Sequence, residues 1–164
     1  MSNFRIKTCV LGPISTNCYL VYNDRTKAGV IVDPADNGAY ILNKCSELGL
    51  KPEAVLLTHG HCDHTSAVAD VRRAFRVPVY AGEEEQELLS DPRKNLSFHM
   101  WPEQVSFRAD ELLHDGDSLD LLGFQWKVLA TPGHTAGGVC YYLPQEDVLL
   151  AGDTLFENSF GRTD

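Results

Sequence analysis

No apolar stretch in this chain approaches the roughly 20 residues that a membrane-crossing helix requires. The opening Met1-Ser2-Asn3-Phe4-Arg5 has neither the apolar core nor the cleavage pattern of a secretory signal. Basic residues are scarce: 14 Lys and Arg stand against 23 Asp and Glu, for a formal charge of −9. That balance argues against binding nucleic acid or an anionic membrane, while leaving room for a small anionic substrate held at a metal. The five cysteines (Cys9, Cys18, Cys45, Cys62 and Cys140) are odd in number and contain no C-x-x-C pair. They read as reduced thiols acting mostly as small core residues, which points to the cytoplasm.

What is present is ordinary for a globular protein: 43% hydrophobic and 23% charged residues in 164. This length supports a single domain over residues 1–164 with a full core. Strand-like runs open the chain at Phe4–Val10, Asn17–Tyr22 and Ala28–Val32, the last more continuously apolar and ending at Asp33-Pro34. Asp33 is either a plain turn residue or a group that orients a nearby ligand. Asp36 or Asn37 caps a helix reaching Leu48, with Ile41, Leu42, Cys45 and Leu48 on one face and Gly49 as its stop. Ala54-Val55-Leu56-Leu57 is a buried strand, and a helix is expected from about Thr65 to Phe75. Val77–Ala81 is a short strand, the acidic run from Glu83 to Glu87 reads as a solvated helix start, and Ser90–Trp101 reads as a loop. Strands return at Glu111–Leu113, Ser118–Leu121, Phe124–Ala130, Val139–Leu143 and Asp147–Ala151.

Between the buried strand and its following helix lies Thr58-His59-Gly60-His61-Cys62-Asp63-His64, which holds half of the six histidines. Three imidazoles and a carboxylate would each need a polar partner in a packed core, so core packing is a poor explanation. Side chains leaving the carboxyl end of a strand converge on a crevice, and imidazole with carboxylate suits Zn, Fe, Mn or Ni. Two later strands follow the same grammar. Val128-Leu129-Ala130 runs into Thr131-Pro132-Gly133-His134-Thr135, and Val148-Leu149-Leu150-Ala151 runs into Gly152-Asp153-Thr154. The pattern of apolar strand, glycine-containing turn and metal-competent side chain thus occurs three times. His99 and His114 lack ligand-type neighbours at metal spacing and read as surface or rim histidines. Cys62 reads as a filler side chain, with metal ligation or oxidation as the alternative.

With His59-Gly60-His61-Cys62-Asp63-His64, Gly133-His134-Thr135 and Gly152-Asp153 in place, the chain resembles the metallo-β-lactamase superfamily. Within it the chain is most similar to small hydroxyacylglutathione-hydrolase-like (glyoxalase II-like) proteins. These share the Thr131–Thr135 and Ala151–Phe156 phrases and the ending Gly161-Arg162-Thr163-Asp164. The resemblance implies an α/β fold, an αββα four-layer sandwich, here lacking its final strand and helix elements. It also implies two metal ions, zinc first and iron or manganese otherwise. On that pattern His59, His61 and His134 hold the first ion, Asp63 and His64 the second, and Asp153 bridges them. The implied nucleophile is a hydroxide between the metals, with Asp63 as the catalytic residue that orients it.

The family pattern continues with a late histidine, whereas no histidine follows His134 here, so a C-terminal truncation is expected. The implied activity is metal-dependent hydrolysis of a small-molecule acyl thioester such as an S-acylglutathione. Two other readings stand beside it: a mononuclear non-haem iron oxygenase resembling persulfide dioxygenases, using His59, His134 and Asp153, and a non-catalytic fragment of the fold.

Overall fold

A computed structural model describes residues 2–163. Three antiparallel strands come first: β1 (Phe4–Leu11), β2 (Thr16–Asn23) and β3 (Ala28–Val32). Helix α1 (Gly38–Leu48) then crosses over to β4 (Lys51–Leu56), which lies parallel to β3. The Asn37 side chain accepts the Tyr40 amide at the start of α1, and Gly49, in the left-handed conformation, closes its end. Parallel pairing continues through β5 (Val79–Gly82) and β6 (Glu111–Leu113), giving a six-stranded sheet ordered β1-β2-β3-β4-β5-β6. The remaining strands β7 (Ser118–Leu121), β8 (Phe124–Ala130), β9 (Val139–Leu143) and β10 (Val148–Leu150) form a second, antiparallel sheet ordered β10-β9-β8-β7.

The period of two along the central strands divides their side chains between two cores. Ile31, Val55 and Leu57 point to one side, where they meet Ile41 and Cys45 of α1 and Val68 and Val71 of a later helix. Val30, Val32, Ala54 and Leu56 point to the other, where they meet Trp126, Val128, Tyr141 and Leu143 of the second sheet. This is why β3 and β4 are apolar at nearly every position: each face is covered. The described residues therefore build helix, sheet and sheet layers of the expected sandwich. On the outward side of the second sheet Leu129 and Leu149 remain exposed. No helix among the described residues is long and apolar enough to cross a membrane.

Three local expectations are corrected. The helix expected from Thr65 to Phe75 is two pieces, α2 (Cys62–Thr65) and α3 (Val68–Phe75). They part at Ala67, whose amide donates to Pro34 O at 3.0 Å instead of continuing the helical ladder. The Ser90–Trp101 stretch contains a helical turn, α5 (Ser97–Met100), after α4 (Gln86–Ser90). Within the acidic run, a 3₁₀ turn over Glu83–Glu85 leaves Glu83 and Glu84 exposed but buries Glu85. A last hairpin, β11 (Leu155–Phe156) with β12 (Ser159–Phe160), follows the second sheet.

All five cysteines are buried free thiols, and burial pushes Cys45 and Cys62 up to about 11. Ellman's reagent is expected to label none of them at pH 8 in the folded chain and all five after denaturation. Trp126 is fully buried between the sheets, with Nε1 donating to Leu121 O. Trp126→Ala is expected to lower the unfolding free energy in urea by about 3–5 kcal/mol.

Candidate metal centre

The centre begins where β3 and β4 end side by side. Asp33, one residue beyond β3, has a left-handed backbone (φ 49°), which Asp tolerates at a cost. Its carboxylate is 1% exposed and is fully engaged. Oδ1 accepts the Thr58 amide at 2.8 Å, and Oδ2 accepts the Thr58 hydroxyl at 2.6 Å and His64 Nδ1 at 2.9 Å. The orienting role for Asp33 is thus the one the geometry supports.

Through Thr58 these contacts fix the tautomer of His59. The Thr58 hydroxyl proton is committed to Asp33, so its oxygen accepts from His59 Nδ1 at 3.1 Å. The lone pair of His59 then sits on Nε2, a buried atom with no hydrogen-bond partner among the described residues. His134 Nδ1 lies 2.9 Å from Arg162 O and donates to it, leaving Nε2 as the electron-pair donor. His61 Nδ1 is 3.1 Å from His134 Nε2. The lone pairs of His59 Nε2 and His134 Nε2 thus face one small space with His61 Nδ1 beside them, an arrangement that fits a cation.

His59, His61 and His134 offer ligand atoms that all lie within 4.8 Å of one another, and so do His59, His64 and Asp153. His64 Nε2 lies 3.1 Å from Asp153 Oδ1 and 3.4 Å from Asp63 Oδ2, while Asp153 Oδ2 lies 3.3 Å from His134 Nε2. Asp153 therefore faces both halves of the cluster. Asp63 meets His64, and its Oδ2 accepts the Thr16 hydroxyl at 2.9 Å. Gly152 before Asp153 has φ 51°, and a Cβ there would lie 2.3 Å from Thr58 Oγ1.

The electrostatics separate the histidines. Burial, then the neighbouring imidazoles, hold His59 well below the usual range, and burial with His134 takes His61 down to about 4. Both are neutral at pH 7. Burial also disfavours charge on His64, but Asp33, Asp153 and Asp63 outweigh it and raise that imidazole to about 10. Burial likewise opposes ionisation of Asp153, and the contact with His64 overcomes it and lowers the carboxyl.

All six residues anticipated from the sequence come together. His99 is exposed and His114 pairs with Glu83 at the surface, both outside the cluster. Cys62 is buried and belongs to neither ligand group. Thr16, Thr58 and Glu85 were not legible beforehand, since a hydroxyl or carboxylate that acts through one hydrogen bond leaves no spacing pattern. A cleft of about 480 Å³ opens onto Asp63, His64 and Asp153, rimmed by Ile14, Leu155 and Phe156. A larger cavity of about 720 Å³ lies between the starts of α1 and α3 and the 101–107 loop and contains none of the six.

The sequence profile of the Metallo-beta-lactamase superfamily matches residues 11–164. The chain belongs to that superfamily. It is accordingly an enzyme of the metallo-hydrolase class, with a His/Asp cluster suited to two metals. The crystal structure of BLEG-1 B3 metallo-beta-lactamase superposes with a TM-score of 0.91 at 42% identity, covering 98% of this chain and 77% of that one. That of TTHA1623 in a di-iron-bound form gives 0.81 at 34% identity, covering 95% and 76%. The hydroxyacylglutathione hydrolase GloC of Haemophilus influenzae is 32% identical over 151 residues, 90% of this chain and 70% of the relative.

In this metallo-hydrolase, Asp33→Ala removes the acceptor for three buried donors. It is expected to cost on the order of 3 kcal/mol of stability in urea, and Thr58→Val about 1–2 kcal/mol. Equal costs would mean that the bonds to the Thr58 amide and to His64 together add nothing.

Proposed function

We propose that this chain hydrolyses a small acyl thioester of the S-acylglutathione type at a two-metal site, in the cytoplasm. The observation that carries the two-metal reading is that two groups of ligand atoms, His59/His61/His134 and His59/His64/Asp153, lie side by side around His59 Nε2, a buried atom with no hydrogen-bond partner among the described residues. These three residues would hold one ion, His64 and Asp63 the other, and Asp153, which faces both sides, would join them. Zinc is the ion proposed; the di-iron form of TTHA1623 makes iron the first alternative. Bound there, a pair of divalent ions supplies ionised water near neutral pH and Lewis acidity toward a carbonyl.

The chain's own residues divide the remaining work. His59 and His61 stay neutral at pH 7 and act as ligands rather than acids. In the metal-free chain the proton on His64 offsets Asp33, Asp63 and Asp153, a counter-charge that a cation held by His64 and Asp63 would replace. Thr16 holds Oδ2 of Asp63 and so turns this carboxylate toward the cleft, where it can orient a water proton. The apolar rim of Ile14, Leu155 and Phe156 receives the acyl chain. A thiolate leaves without a proton donor, so the thioester suits a site whose imidazoles are committed to metal. The similarity to GloC supports the same substrate class.

Metal analysis of protein purified without added metal is expected to give about two ions per chain. His134→Ala should fall to about one, with thioester hydrolysis reduced more than about 100-fold. One iron per chain together with oxygen uptake would replace this reading with the mononuclear oxygenase. A folded chain without metal would leave the non-catalytic one. Faster turnover of a β-lactam than of any thioester would overturn the substrate and keep the metals.

A further inference from the structure

Glu85 is a buried carboxylate outside the His/Asp cluster, 1% exposed, in the 3₁₀ turn that follows β5. Its two oxygens are used on two different loops. Oε2 accepts the Gly60 amide at 2.6 Å, and Gly60 is the residue between His59 and His61. Oε1 accepts the Gly137 amide at 2.8 Å, in the loop that carries His134. The approach is close enough that a Cβ on Gly137 would lie 2.5 Å from the Glu85 amide nitrogen and 2.7 Å from the Glu84 carbonyl carbon. The same seam is held on another side by the Val139 amide donating to Thr58 O at 2.8 Å.

One loop belongs to the first sheet and the other to the second. An ionised carboxylate accepting two amides is a strong and directional link, because charge-assisted hydrogen bonds are shorter and stronger than neutral ones. We propose that Glu85 is a positioning residue: by gripping Gly60 and Gly137 together it sets the spacing of His59 and His61 against His134 before a metal arrives. The inference rests on the proposed reading of those three histidines as ligands of one ion. Glu85 touches neither the ligand atoms nor a substrate; it acts through the backbone beside them. An amide in its place keeps the shape but turns a donor toward one of the two glycine N–H groups, so one half of the grip opens.

The test titrates Co(II) into metal-stripped wild type, Glu85→Gln and the exposed control Glu84→Gln, following visible absorption with a competing chelator. Glu85→Gln is expected to bind Co(II) about 10–100-fold more weakly, with an altered absorption band, while Glu84→Gln matches wild type. A lowered melting temperature with unchanged Co(II) affinity would mean an ordinary structural residue and would overturn the proposal alone. If His61→Ala and His134→Ala bind Co(II) as tightly as wild type, the ligand reading fails and this inference fails with it. Should Glu85→Gln not fold, amide hydrogen exchange in metal-free wild type decides. Strong protection of both Gly60 and Gly137 supports a grip set in advance, and protection that appears only after Co(II) is added overturns it.

Discussion

The Thr58, His59 and His64 part of the centre hangs from one buried carboxylate at the end of β3. Asp33 sits beside the point where β4 gives way to Thr58 and His59, and it takes three donors at once. A carboxyl group at 1% exposure persists only with that degree of hydrogen bonding. In return it determines which proton each neighbour carries. Thr58 is turned so that it accepts from His59, and His64 is turned so that Nε2 meets Asp153. The tautomer of His59 and the orientation of the His64 ring therefore follow from a residue that lies outside the ligand groups.

The sandwich explains how residues far apart in sequence reach one place. β3 and β4 are parallel, so their carboxyl ends lie together and present Asp33 and the His59–His64 segment at one edge. The second sheet packs on the face carrying Val30, Val32, Ala54 and Leu56 through Trp126, Val128 and Tyr141. The Tyr141 hydroxyl donates to Leu57 O at 2.6 Å, just before the first ligand-type residue. That register brings His134 and Asp153, which leave β8 and β10, to the same edge. The site is thus a seam between two sheets, closed by backbone bonds, Asp33 and Glu85.

Much of this was legible in the sequence because the signals were repeated. Three strand-then-glycine turns with a ligand-type residue named all six clustered positions, and the continuous apolar runs named the doubly covered strands. The break at Ala67 was hidden because it depends on Pro34 O, a partner thirty-three residues away. Glu85 was hidden for a related reason. Among Glu83, Glu84, Glu85 and Glu87, local charge favours the same solvated helix start for each, and only the tertiary approach of Gly60 and Gly137 selects one for burial. Thr16 gave no signal, since its hydrogen bond to Asp63 crosses from the first residue of β2 to α2, forty-seven residues on.

The cleft at the centre has a division of labour between its floor and its rim. The floor is made of residues tied to strand ends and to one another, where a single change disturbs several partners. The rim comes from Ile14 in the β1–β2 turn and from Leu155 and Phe156 in the last hairpin, all exposed. Those side chains hold none of the cluster in place. Substitutions at the rim therefore touch fewer partners than substitutions at the floor. A single architecture can in this way serve proteins whose names refer to substrates as unlike as a β-lactam and an acylated glutathione.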